Sequence, residues 1–218
     1  MPWILASASP RRRDILSHLG LRFEIRVADT DEQSEQRDPT RLVEELAARK
    51  AAAVARAQPM SPDTVVIAAD TVVLSPDGEI LGKPRDRADA ARMMRTLSGR
   101  SHRVISGLAV WRNGRLETAH EMTEVRFSLL SEELIEQYVA TAEPYDKAGG
   151  YGIQDTAALW IEGIRGDYFN VVGLPVRRLE DVLQAKFGLS LWGDGAGCFL
   201  KKHPCTPKNF MEKEVKQP

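Results

Sequence analysis

Three consecutive arginines, Arg11, Arg12 and Arg13, directly follow Ser9-Pro10. Ser9 suits the capping position of a helix and Pro10 its first helical position. The arginines then fall in the first turn, where the helix dipole is positive and a cation costs roughly 0.3–1 kcal/mol. Positive charge concentrated there suits an anion. Phosphate fits best, because helix N-termini and guanidinium forks both match its oxygens. From these residues alone, a solvated basic turn bent toward nearby carboxylates is an equal reading.

Other chemically capable residues lie downstream. Asp70 closes an apolar run, where a carboxylate can bind Mg²⁺, orient a water or cap the following backbone. Lys83 stands between Gly82 and Pro84, on a stiff loop that aims its ammonium. Lys50 sits on an alanine-rich helix and can lay its stem along a packed face. Either lysine can equally be solvated. Glu32 belongs to an acidic stretch with Asp29, Asp31 and Glu35, a solvated loop or part of a metal site. Gly149, Gly150 and Gly152 allow close approach to a ligand, or simply make turns. Gln154 offers a donor and an acceptor suited to the edge of a nucleobase. Together these supply cations for phosphates, carboxylates for a metal and a water, and an amide for a base. That inventory suits phosphoryl-group hydrolysis assisted by a divalent ion. No Walker-type loop, dinucleotide fingerprint or serine–histidine pairing competes with it.

The elements that must position these groups alternate between strand and helix. Trp3 to Ala6 reads as a short buried strand, followed by a helix from Pro10 to about Leu19 with Ile15, Leu16 and Leu19 inward. Phe23, Ile25 and Val27 alternate as in a half-buried strand. A long helix starts at Asp38-Pro39 and ends around Gln58. Thr64 to Ala69 is the central strand, delivering Asp70 and Thr71 at its end. Val72 to Leu74 leads into a turn at Ser75-Pro76-Asp77-Gly78, and the chain returns through Ile80-Leu81. A helix spans about Arg87 to Leu97. Two long strands from His102 to Phe127 are joined at Asn113-Gly114, a strong hairpin signal. Ser131 caps another helix, and the glycine-rich segment follows. A strand at about Leu159 to Glu162, a loop at Gly166 to Asn170 and a helix from Pro175 to about Phe187 complete the order. The expected fold is α/β, with a mixed, elongated sheet and flanking helices.

Composition limits the partners. A formal net charge of −1 gives no global field toward nucleic acid or membrane, so anion binding must come from a local cluster. Aromatic residues at 6% also argue against a nucleic-acid surface. No apolar stretch approaches the roughly 20 residues that span a bilayer, and the first residues lack a signal-peptide pattern. Cys198 and Cys205 stand apart from any core element, which points to a reducing, cytoplasmic setting and no disulfide framework. Residues 191–218 lose apolar periodicity and read as a flexible tail on a domain of residues 1–190. Cys198, His203 and Cys205 lack a fourth ligand and make a weak zinc signal.

These residues resemble the Maf family of nucleoside triphosphate pyrophosphatases. The likeness is carried by Leu5 to Arg13, Ala69-Asp70-Thr71-Val72-Val73, Gly82-Lys83-Pro84, Tyr145 to Gln154 and Gly166 to Pro175, in family order. The resemblance implies a homodimeric fold with a cleft between two lobes, similar to inosine triphosphate pyrophosphatases. It implies hydrolysis of a nucleoside triphosphate to monophosphate and pyrophosphate with Mg²⁺ or Mn²⁺. The general base falls on Asp70, substrate selection on Arg11, Thr71 and Gln154. Phosphate contacts fall on Ser7, Arg12, Arg13, Lys50 and Lys83, and metal contacts on Glu32 and Asp70. Asp70-Thr71 with the Ala-Gly-Gly-Tyr-Gly-Ile-Gln run looks like the branch that prefers dTTP and UTP. The alternative is a non-catalytic, nucleotide-binding regulator of cell division or septum formation.

Overall fold

The computed structural model describes residues 1–195. The expectations for Cys198, His203 and Cys205 lie outside the described residues.

Seven strands form one mixed sheet. They are β1 (Trp3–Leu5), β2 (Glu24–Ile25), β3 (Val65–Leu74), β4 (Ile80–Leu81), β5 (Ser101–Arg112), β6 (Arg115–Phe127) and β7 (Ile161–Arg165). The spatial order is β2-β1-β3-β5-β6-β7, and β4 pairs with β3. β1 runs parallel to both β2 and β3, whereas along β3, β5, β6 and β7 each strand is antiparallel to its neighbour. The hairpin between β5 and β6 turns at Asn113 and Gly114, both at positive φ, as a two-residue turn of this kind requires.

β3 is the centre of the molecule, and it alternates its faces. Val65, Ile67 and Ala69 enter one cluster with α1 (Pro10–His18) and α6 (Val176–Val182). Val66 and Ala68 enter another, under α2 (Pro39–Ala57). A third cluster packs α3 (Arg87–Leu97) and α4 (Glu132–Val139) against Val73, Val104 and Phe127. α2 begins where Asp38 accepts hydrogen bonds from the Thr40 and Arg41 amides, and its alanines let it lie close to the sheet. The approach is closest at Gly107 of β5, where a Cβ would stand 2.3 Å from the Val43 carbonyl oxygen.

Several local expectations are corrected. β3 does not end before Asp70. It continues to Leu74, with Asp70 and Thr71 in mid-strand opposite Gly107 and Ser106. Leu19 is exposed, because α1 closes with Gly20 N–H bonded to Ser17 O and Leu21 N–H to Leu16 O. That helix-ending turn sends Leu21 inward instead. Ile25 and Val27 are exposed, since β2 is a two-residue edge strand. The strand expected at Leu159–Glu162 starts later: residues Thr156–Leu159 form a 3₁₀ turn, and β7 takes its register from β6. The expected loop at Gly166–Asn170 contains α5 (Tyr168–Val172), capped by the Asp167 carboxylate on Phe169 N–H. Leu191, assigned to the tail, packs in the first cluster, and its amide bonds Glu180.

Candidate active site

β3 has a partner along one whole edge, β5, but only at the two ends of the other. β1 pairs with it as far as Ile67, and β4 pairs with it only from Val73. Between them the edge of β3 is open, because the chain leaves β1 at Ala6 to enter α1. Asp70 stands in this gap. A cavity of about 1050 Å³ opens there, a size suited to a nucleotide.

The chain brings nearly every expected residue to this cavity. Ser7, Arg11, Arg12, Glu32, Lys50, Asp70, Thr71, Lys83 and Gln154 all line it. Arg13 does not: its guanidinium pairs with Asp14, 2.9 Å away, on the exposed side of α1. The three arginines point three ways because successive helical side chains diverge by about 100°.

Arg12 is held through all three of its guanidinium nitrogens. Its Nε donates to Gly173 O at 2.8 Å, Nη1 to Ser7 Oγ at 3.1 Å and Nη2 to Thr71 Oγ1 at 3.1 Å. Burial favours its neutral form, opposed by the charges of Asp70 and Glu32. A guanidinium still remains charged at any ordinary pH. Arg11 reaches across the cavity, donating to Asp146 Oδ2 at 2.9 Å. Burial works against the charged form of Asp146, but hydrogen bonds from Lys147 and Arg11 outweigh it and hold its carboxyl below the usual range.

Ser9 makes no side-chain cap on α1; instead its own amide donates to Ser7 Oγ at 3.2 Å. The Arg11 and Arg12 amides therefore lack acceptors among the described residues. Ser7 Oγ accepts from both Ser9 N–H and Arg12, which leaves the hydroxyl hydrogen for a ligand. Uncapped amides, a donor hydroxyl and held guanidinium groups make an anion cradle.

Two carboxylates converge opposite. Lys50 Nζ lies 2.8 Å from Glu32 Oε1 and 2.6 Å from Asp70 Oδ1. The Lys50 hydrogen bond, chiefly, keeps the Glu32 carboxyl below its usual range, aided by the charges of Lys50, Lys83 and Arg12. Asp70 Oδ2 takes no hydrogen bond among the described residues. Two carboxylates already arranged around one cation fit a divalent ion that keeps waters and takes phosphate oxygens for the rest of its shell. Among the described residues there is no cluster of three or more His, Cys, Asp or Glu side chains that could hold a metal ion.

Packing requires glycine throughout the run. A Cβ on Gly149, which has a φ of +70°, would meet Val73 Cγ2 at 2.7 Å. One on Gly150 would meet Pro84 at 3.1 Å, and one on Gly152 would meet Asp155 Oδ2 at 2.3 Å. The segment is thus pressed onto β3 and the Lys83 loop, and Gly149 N–H bonds Gly82 O. Gln154, exposed at the cavity, has no protein partner among the described residues. Sequence reasoning gave no role to Asp146 and Lys147. Lys147 is buried and bonds Asp146 and the Glu143 carbonyl, fixing the acceptor that Arg11 uses. An adjacent acid–base pair before a glycine run was the available signal.

A family model described as Maf-like protein matches residues 2–186. The chain is 50% identical over 195 residues to a protein of Symbiobacterium thermophilum named dTTP/UTP pyrophosphatase, covering 89% of this chain and 98% of that protein. It is 49% identical over 193 residues to a protein of the same name from Desulforamulus reducens, covering 87% and 98%. Among solved structures, the Staphylococcus aureus Ham1 protein aligns with a TM-score of 0.43 at 13% identity, over 58% of this chain and 72% of that one.

Proposed function

Because the chain belongs to the Maf-like protein family, we propose that it hydrolyses dTTP and UTP to the monophosphate and pyrophosphate. The observation that carries this reading is the cavity itself, where an anion cradle on α1 faces two carboxylates gathered around Lys50.

The triphosphate lies against the α1 N-terminus. The Arg11 and Arg12 amides, the Ser7 hydroxyl and the Arg12 guanidinium bind its oxygens. Lys50 and Lys83 neutralise the charge that accumulates on the leaving pyrophosphate. Asp70 holds a water with Oδ2 and takes its proton as the water oxygen bonds to the α-phosphorus. The bond from that phosphorus to the bridging oxygen breaks, and its electron pair leaves with pyrophosphate. Glu32 and Asp70 would hold a divalent cation, which supplies Lewis-acid stabilisation of the phosphate charge. Gln154 is left to meet the base, and Arg11, held by Asp146, borders the same space. A pyrimidine edge offers few groups, so discrimination between dTTP and UTP is modest. Self-association as a homodimer belongs to this reading too, although one chain supplies every residue named.

The test is pyrophosphate release from a panel of nucleotides with Mg²⁺ or Mn²⁺. Turnover of dTTP and UTP well above purine and 7-methylguanosine triphosphates, abolished by a chelator, is expected. Tight nucleotide binding without turnover would instead support a non-catalytic regulator.

A further inference from the structure

We propose that Ser106 is a positioning residue of this site, which fixes Arg12 by dictating the direction of the Thr71 hydroxyl. The inference rests on the reading above that Arg12 holds a nucleotide phosphate.

Ser106 is fully buried on β5, directly opposite Thr71 in the register of the two strands. Its Oγ donates to the Asn170 carbonyl at 3.0 Å, and a carbonyl can only accept. A hydroxyl owns a single hydrogen. The 2.8 Å contact between Thr71 Oγ1 and Ser106 Oγ is therefore donated by Thr71. That commits the Thr71 hydrogen, and its oxygen is left as an acceptor for Arg12 Nη2. The chain runs one way throughout, from Arg12 to Thr71 to Ser106 to the backbone of α5.

The far end is rigid. Asn170 is fully buried, and its Nδ2 donates to Val104 O and to Thr123 Oγ1, each at 3.0 Å. The Gly173 carbonyl, immediately after α5, is the acceptor for Arg12 Nε. The segment thus grips Arg12 twice, directly at Gly173 and indirectly through Ser106 and Thr71. One consequence concerns Thr71 itself. Its hydroxyl has no hydrogen left to offer a nucleobase carbonyl, and the role proposed for it is the aim of Arg12.

The experiment compares Ser106→Ala, Thr71→Val and the double variant in steady-state pyrophosphate release and in nucleotide binding. Each single change should lower kcat/KM about tenfold, the loss of one positioning hydrogen bond. The loss should be equal for dTTP and UTP, and the double variant should be no worse than either single one. In an Arg12→Lys background, Ser106→Ala should cost nothing more. Thr71→Ser, which keeps the hydroxyl, should stay within about threefold of the parent, and it carries the comparison with Thr71→Val if Ser106→Ala fails to fold. Additive losses, a persistent effect beside Arg12→Lys, or a changed ratio among the nucleotides would overturn the proposal. A parent protein that binds nucleotide without turnover defeats the hydrolase reading alone. The same additivity, read on binding, then decides the role of Ser106.

Discussion

Lys50 ties the two carboxylates of the site together. On a sequence it is one lysine among several. In the fold it joins Glu32 to Asp70 and shows that the two carboxylates, well apart along the chain, address one point. Residue types were legible here because few combinations of cations, carboxylates and amide suit anything but a charged, water-cleaved substrate. The division among the arginines was not legible. Arg12 turns inward to Ser7, Thr71 and Gly173, Arg11 crosses to Asp146, and Arg13 stays with Asp14. At this scale the decisive substitution is Asp70→Asn. It keeps the shape and an acceptor for Lys50 but removes the proton acceptor. Pyrophosphate release should fall by about 10²–10⁴-fold, while a thermal melt shows the fold intact. A loss smaller than tenfold would remove Asp70 from the role of base.

At the scale of elements, the site depends on how closely α2 lies on the sheet. Lys50 rides on α2 and Asp70 on β3, and the register partner of Asp70 is Gly107. A methyl group at Gly107 would press on the Val43 backbone at 2.3 Å, where nothing flexible can yield. Gly107→Ala should therefore lift α2, carry Lys50 away from Asp70, and lose both stability and turnover. We expect a cost of about 1–3 kcal/mol in urea unfolding with a parallel drop in activity. Unchanged stability would refute this account of the contact. The sequence showed a β5 strand with a glycine in it, and the helix from Asp38 onward, but not that they touch. Caps and turns such as Asp38 and Asn113-Gly114 are local and were readable. The helix at Tyr168–Val172 was missed because five residues carry too little periodicity to distinguish them from a loop.

At the scale of the whole molecule, a buried histidine sets an acid limit on stability. His102 packs against Phe127 and Tyr151, and its Nε2 lies 2.7 Å from the Tyr151 hydroxyl. Burial pushes its pKa down to about 4 from the usual 6.5. Between those values the unfolded chain carries the proton and the folded chain does not, so stability rises with pH through the window and levels off above it. Acidification across the window should cost up to about 3 kcal/mol in unfolding free energy. Urea unfolding at both ends of the window, repeated on His102→Gln, checks this; an equally steep dependence in the variant would locate the effect elsewhere.

The sequence by itself determined the order and kind of most elements, the inventory of charged groups and the family likeness. Those properties depend on local spacing or on residue type. Only the tertiary structure decided that Asp70 lies in mid-strand at an open edge, since β1 pairs with β3 only as far as Ile67 and β4 only from Val73 onward. It alone decided that the glycines pack against Val73, Pro84 and Asp155. It also set the direction of the hydrogen bonds from Arg12 to Asn170. Each of these is a contact between distant parts of the chain, where packing and the single hydrogen of a hydroxyl fix what spacing along the sequence leaves open.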